Sequence, residues 1–239
     1  MTGGAPARGA PARAPLRRWR VLAGRRPEWW LWGVAAAGWL ALLGLAVPGH
    51  HHAVSPGGHA AGWAAMIAVT APLTARNVRH AALRSPRAAR AGVAAAVVAG
   101  WALVWAGAAV GLGVAAWLLS GAVGDVAAIA LVTAVTVGWQ RGRPKRRSLA
   151  RCHRMIAPPL GREARRACCR YGRGLGRDCV LSCWPLMTLM AVAGHHPVVV
   201  AACAAVAWYE RRRPHHDPAT RGTSFAVAAV GAGVLASVS

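Results

Sequence analysis

The chain has 239 residues, of which 56% are apolar and only 15% are charged. A soluble domain normally carries about a quarter charged residues, so the composition argues against an ordinary soluble globular protein. The formal net charge of +23 would suggest nucleic-acid binding if it covered a soluble surface. The Lys and Arg residues are instead confined to blocks between long uncharged runs, so we predict no nucleic-acid partner.

The first 27 residues are rich in Ala, Pro, Gly and Arg. Such low-complexity sequence cannot bury enough apolar surface to fold by itself, so we predict a disordered basic tail over residues 1–27. The apolar run that follows is about 20 residues long, which is the length of a membrane-crossing helix. No small-residue cleavage site stands near its end, so we expect an uncleaved anchor.

Apolar segments then follow one another to the end of the chain, and each predicts a transmembrane helix. Their approximate ranges are 29–48, 60–75, 92–119, 122–139, 179–194, 197–209 and 223–239. We expect an all-α, polytopic membrane protein with about six to seven transmembrane helices in a single domain over residues 28–239. Residues 179–209 form either a hairpin of two short helices or one broken span, and the charges that follow favour the hairpin.

The positive charges predict the orientation of these segments. With the N-terminus in the cytoplasm, all 29 Lys and Arg residues fall on the inner side. Thirteen of them lie between the fourth and fifth segments, which predicts a basic cytoplasmic loop over residues 140–178. By the positive-inside rule we expect a multi-pass protein of the inner (cytoplasmic) cell membrane, embedded in the lipid bilayer and in contact with anionic lipids.

Soft side chains are concentrated in DCVLSCWPLMTLMAVAGHH, residues 178–196. On a helix, Cys179, Cys183, Met187 and Met190 would share one face. Thiolate and thioether groups are the donors that select Cu(I), so this stripe predicts a soft-metal site. Pro185 leaves open whether the two cysteines lie on the helix or in the loop before it, and packing in a helix bundle is an alternative role for all four side chains.

Further candidate metal ligands lie at both ends of this stripe. Cys152, in the basic loop, is a candidate cytoplasmic donor. His195 and His196 stand at the outer end, and imidazole suits copper, zinc and nickel. The charge rule places the outer loop with His50, His51, His52 and His59 on the same side, so we expect His195 to lie close to that loop.

Three stretches carry a resemblance to a known family: GWQRGRPKRRSLARCHR, YGRGLGRDCVLSCWPLM and AGHHPVVVAACAAVAWYERRRP. They resemble a bacterial family of predicted metal-binding integral membrane proteins, domain of unknown function 2182, over roughly residues 60–214. The resemblance implies a metal-binding role for Cys152, Cys179, Cys183 and Met187. Ser148 and Ser182 stand where that family has cysteine, which implies that part of its set of soft ligands is missing here.

Two functional hypotheses remain. The first is a membrane protein that binds a soft metal ion, with copper favoured, and acts in metal handling or transport by coordination. The second is a membrane scaffold, assembly factor or small-solute carrier in which the soft side chains only pack. The sequence has no Ser/His/Asp order, no His-Glu-x-x-His motif and no phosphate-binding glycine loop, so we predict no enzymatic activity.

Overall fold

The computed structural model describes residues 25–46, 56–155, 163–212 and 220–238. Within these ranges the chain is helical and contains no strand, which confirms the predicted all-α class. The α-helices of these ranges are α1 (Trp30–Leu45), α2 (Pro56–Thr70), α3 (Ala75–Leu83), α4 (Arg90–Val123), α5 (Asp125–Arg141), α6 (Arg143–Cys152), α7 (Ala164–Val192), α8 (Pro197–Arg212) and α9 (Thr220–Val238). Short 3-10 helices, Ala71–Thr74 and Arg87–Ala89, precede α3 and α4.

Each predicted apolar segment forms a helix, but α7 begins far earlier than expected. It starts at Ala164 rather than near residue 179 and runs for 29 residues. Its first half is rich in Arg, which is a good helix former, whereas a hydropathy pattern detects only the apolar second half. Part of the predicted basic loop is therefore the beginning of the helix that carries the cysteines. Pro185 lies inside this helix, so Cys179 and Cys183 are on its face and not in an approach loop.

The expected six to seven transmembrane helices are not supported by helix length. Among the described residues, only Arg87–Val123 and Ala164–Val192 are long and apolar enough to cross a membrane, as judged by length and composition alone. Helices α1, α2, α5 and α8 contain 15 to 17 residues. At 1.5 Å per residue they rise about 23–26 Å, which is less than the roughly 30 Å of a bilayer core.

Helices α4 and α7 form the centre of the molecule because small residues let their backbones approach closely. A Cβ atom at Gly172 would overlap the Val97 carbonyl, and one at Gly176 would lie 3.0 Å from the Trp101 carbonyl oxygen. The side chains of Trp101 and Trp105 are buried in the same contact region. This close packing fixes the position of α7 against the longest helix of the chain.

Helices α7 and α8 form a hairpin, as the charges favoured. The turn contains Gly194 at φ +61° and His195 at φ +57°, and Pro197 begins α8 at a position where its missing N–H costs nothing. Arg211, near the end of α8, donates a hydrogen bond to the carbonyl of Cys152, so α8 returns toward the end of α6 and the middle of α7, where Cys152 and Cys179 meet. The predicted tail over residues 1–24 and the His50–His52 cluster lie outside the described residues.

Candidate metal site

Three cysteine thiols from two helices meet inside the protein. Cys152 is the last residue of α6, and Cys179 and Cys183 lie one turn apart on α7. The Cys179 side chain lies within hydrogen-bonding range of both Cys152 and Cys183. None of the three residues is more than 5% exposed. We call this chain of sulfur atoms, with Cys179 in the middle, the thiol cluster.

A positive charge stands beside the thiol cluster. The hydrogen bond from Cys179 lowers the pKa of the Cys152 thiol; burial opposes this shift, and the nearby Arg211 guanidinium adds to it. A lower pKa favours the thiolate, which is the form of cysteine that binds metal ions. The electrostatics at Cys152 therefore favour loss of the thiol proton when a cation binds to the sulfur.

The backbone around Cys152 is held by a polar network from four other elements. The Arg211 guanidinium donates to the Cys152 carbonyl at 3.0 Å, to the Leu73 carbonyl at 2.8 Å and to the Asn77 Oδ1 atom at 3.0 Å. Asn77 in turn donates to the Tyr171 hydroxyl at 2.7 Å. Such a network fixes Cys152 against α7, because each buried polar group satisfies its neighbour.

Two ion pairs dock α6 onto its neighbours. Arg151 and Asp178 are 2.8 Å apart, and each precedes a cysteine of the thiol cluster by one residue. Lys145 and Glu210 are also 2.8 Å apart and are both buried. Removal of one partner of a buried ion pair is strongly destabilising, so the Lys145–Glu210 pair ties the position of α6 to α8.

The family model of the PpoB2 copper chaperones matches residues 60–234 of this chain. The matched range is well over half of the chain and includes the whole thiol cluster. The chain belongs to the PpoB2 copper-chaperone family. This finding corrects the assignment to domain of unknown function 2182, which we made from the motifs. No curated protein and no solved structure matches the chain.

Membership in the PpoB2 family agrees with copper handling, the coarser form of the predicted function. The described residues contain no group of three or more His, Cys, Asp or Glu side chains placed to hold one metal ion. Pairs of neighbouring thiols within the cluster offer soft sulfur donors, a ligand type that Cu(I) favours.

The residues predicted as ligands do not form one site. Met187 and Met190 are fully buried on α7, beyond the thiol cluster. His195 is buried in the turn after α7, and His196 is exposed beside it. From Cys183 to Val192 alone the helix rises about 14 Å, so the histidines lie too far from the thiols to share a metal ion with them.

The hydroxyls of Ser148 and Ser182 make hydrogen bonds to backbone carbonyls of their own helices. The Ser182 hydroxyl donates to the Cys179 carbonyl at 3.0 Å and contacts the Cys183 sulfur at 3.2 Å. The Ser148 hydroxyl donates to the carbonyls of Pro144 and Lys145. Both hydroxyls are thus engaged in their own helices, and neither adds a soft donor.

Sequence reasoning missed the groups that position the thiols. Arg211, Asn77 and Tyr171 carry no motif that marks them, and Arg211 was counted only as a topology charge. Its function as a clamp depends on the return of α8 to Cys152, which a local pattern does not show. The sequence does contain one feature that indicates the contact of Cys152 with Cys179. Arg151 and Asp178 carry opposite charges, and each directly precedes one of these cysteines.

Proposed function

We propose that this protein is an integral membrane copper chaperone that carries Cu(I) on the thiol cluster Cys152, Cys179 and Cys183. The observation that carries the proposal is the contact of three buried thiols from two helices, in a chain that belongs to a copper-chaperone family. The copper ion is the cargo of the protein, and the protein acts by coordination rather than by catalysis.

The chemistry of the cluster favours Cu(I) over harder ions. Coordination of Cu(I) by two thiols displaces two protons and leaves a complex of net charge −1. The Arg211 guanidinium, which holds the Cys152 carbonyl, supplies a compensating positive charge at that point. Sulfur donors without an adjoining carboxylate ligand select soft cations, and burial keeps water away from the bound ion.

A location in the membrane is supported by the apolar surface of α4. Trp117 and Val110 are 73% and 70% exposed, and Leu103, Val114 and Leu118 are exposed on the same helix. Only 39% of the most apolar window of Arg87–Val123 is buried inside the protein. Soluble monomers rarely expose contiguous apolar patches of this kind, so we propose that lipid covers this face.

Anionic lipids fit the basic end of the molecule. Arg146, Arg147, Arg165, Arg166 and Arg170 are exposed on α6 and on the first half of α7. Positive residues near the cytoplasmic surface of a membrane are attracted to anionic headgroups, by about 1 kcal/mol for each. We propose that this end faces the cytoplasm, where a copper-loaded thiol cluster would meet a protein partner.

The thiol cluster is tested by replacement of one sulfur at a time. Cys179→Ser should weaken Cu(I) binding by at least about tenfold, because Cys179 contacts both other thiols. Cys183→Ser should also weaken it, and Met190→Leu should cost less, because a thioether is a weaker ligand and Leu fills a similar volume. Affinity is measured anaerobically in detergent by competition with bathocuproine disulfonate.

Cys169→Ser is the matched control. Cys169 lies on the same helix but is partly exposed, and it is not one of the three residues of the thiol cluster. It should bind Cu(I) as the wild type does. X-ray absorption should detect sulfur ligands in the wild type and fewer of them in Cys179→Ser. Equal affinity of the wild type and Cys179→Ser would leave these cysteines as packing residues and would reject the proposed site.

A further inference from the structure

A second cluster of potential ligands lies at the C-terminal end of α7, beyond the thiols in the middle of that helix. A cavity of about 200 Å³ is lined by residues from α1, α2 and the α7–α8 turn, including His59, His195 and His196. The ring centroids of His59 and His195 are 5.1 Å apart, and the Trp63 ring lies 5.6 Å from that of His195. The predicted proximity of His195 to the His50–His59 loop is confirmed for His59.

Two glycines make room for these imidazoles. A Cβ atom at Gly62 would lie 2.8 Å from the His195 ring, and one at Gly113 would lie 3.1 Å from His59 Nε2. Because real Cβ atoms do not come so close without displacement of a neighbour, larger residues at both positions would push the rings apart. Three elements, α2, α4 and the α7–α8 turn, therefore combine to bring the two imidazoles together.

The backbone conformation and the burial of His195 are both energetically unfavourable. Its φ of +57° places a non-glycine residue in the left-handed region, which is unfavourable by roughly 1 kcal/mol. The residue is 7% exposed, and its Nε2 atom is buried without a hydrogen-bond partner. An unpaired buried polar atom is destabilising by about 1–3 kcal/mol. A ligand that uses the free nitrogen would account for both features.

We propose that His59 and His195 form a second copper site, which takes Cu(I) on two imidazole nitrogens. The thiol cluster is not required for this site, so the proposal goes beyond the function inferred above. Neutral imidazole is a good ligand for copper. Two nitrogen donors beside an open cavity form a weaker, more accessible site than buried thiols, as the entry or exit of a cargo ion requires.

Trp63 competes with the metal ion for His59. The indole Nε1–H group donates a hydrogen bond of 3.0 Å to His59 Nε2, so this nitrogen is an acceptor and its lone pair is occupied. Coordination through His59 Nε2 must break that hydrogen bond. Trp63→Phe keeps an aromatic ring but removes the N–H group, so it should bind Cu(I) at this site about two- to tenfold more tightly.

The first test separates the second copper site from the thiol cluster. A variant with Cys152, Cys179 and Cys183 all replaced by Ser is purified with a histidine-free affinity tag and titrated anaerobically with Cu(I) against a chromophoric chelator. One equivalent should remain bound, with nitrogen ligands by X-ray absorption. Addition of His195→Gln should abolish it, whereas His80→Gln, a control on α3, should not. All other histidines are common to the compared variants, so their background binding cancels.

A second measurement covers the case in which the triple variant does not fold. With the thiols intact, His195→Gln should lower the Cu(I) stoichiometry from two equivalents to one and should remove the nitrogen scattering but not the sulfur scattering. Equal stoichiometry in His195→Gln and the wild type would overturn the imidazole site. Absence of sulfur scattering from copper bound to the wild type would instead refute the thiol cluster. The two proposals therefore fail in different measurements.

Discussion

At the scale of single residues, a charge can act in two ways that look alike in the sequence. Arg211 belongs to a run of arginines that reads as a cytoplasmic topology signal. In the fold its guanidinium group holds the carbonyls of Cys152 and Leu73 and the side chain of Asn77. The planar, five-donor geometry of arginine suits such multiple contacts, and lysine would not replace it.

The burial of His195 predicts a stability that depends on pH. Burial, and secondarily the proximity of His59, lowers the pKa of His195 to about 4, whereas an unfolded histidine titrates near 6.5. As the pH falls from about 6.5 to 4, the unfolded chain takes up a proton and the folded chain does not. The metal-free protein should therefore lose up to about 3 kcal/mol of stability across this window.

Thermal unfolding of the metal-free protein in detergent, with chelator present, measures this loss. Wild type and His195→Gln are compared from pH 7.5 to pH 4.5, so that the titration of carboxylates common to both cancels. The wild type should lose more stability than the variant below about pH 6.5. Parallel curves for the two proteins would contradict the prediction.

At the scale of elements, close packing of α4 against α7 fixes the backbone of the helix that carries Cys179 and Cys183. Glycines on α7 face the carbonyls of Val97 and Trp101 on α4. Close backbone approach lets helices pack by van der Waals contact when no strong hydrophobic force acts between them, as in lipid. The thiols of α7 thereby acquire a fixed backbone, and α6 brings Cys152 to them.

Gly172 and Gly174 make a matched pair to test this packing. A Cβ at Gly172 would overlap the backbone of α4, whereas one at Gly174 would meet nothing within 4 Å. Gly172→Ala should destabilise the protein by about 1–3 kcal/mol through overpacking. Gly174→Ala should be neutral or stabilising by up to about 1 kcal/mol, because Ala is the better helix former. Thermal unfolding in detergent measures both, and equal effects would argue against close contact of the helices.

At the scale of the whole molecule, charge and apolar surface are segregated. Exposed arginines are concentrated on α6 and on the first half of α7, and exposed large apolar side chains lie mainly on other helices, chiefly α1, α4 and α5. Self-repulsion among like charges would destabilise a compact soluble protein with this net charge. In the proposed membrane location, lipid tails would cover the apolar side chains and anionic headgroups would attract the arginines.

Labelling in intact cells tests this orientation. In a Cys169→Ser background, Asp125→Cys at the start of α5 and Arg147→Cys on α6 place exposed thiols at opposite ends of the bundle. A membrane-impermeant maleimide should label Asp125→Cys directly but Arg147→Cys only after permeabilisation. The reverse pattern, or labelling of both without permeabilisation, would reject the proposed topology. Cys168 does not serve as a reporter because it is fully buried.

The positions of the helices and the types of the donors were determined by the sequence alone. Both depend on local properties, namely runs of apolar residues, good helix formers and Gly or Pro at the ends. The hydropathy pattern was wrong about the start of α7. It placed the start near residue 179 because the basic first half of that helix is not apolar. Short apolar helices such as α2 and α8 were likewise counted as membrane spans.

Only the tertiary structure decided which donors meet. Cys152 reaches Cys179 because α6 is docked by the pairs Arg151–Asp178 and Lys145–Glu210, and the packing of α6 against α7 and α8 decides that these charges meet. His59 reaches His195 because glycines on α2 and α4 leave space for the rings. Both contacts join residues more than 25 positions apart, so they depend on the packing of whole helices against one another and not on the periodicity within any one of them.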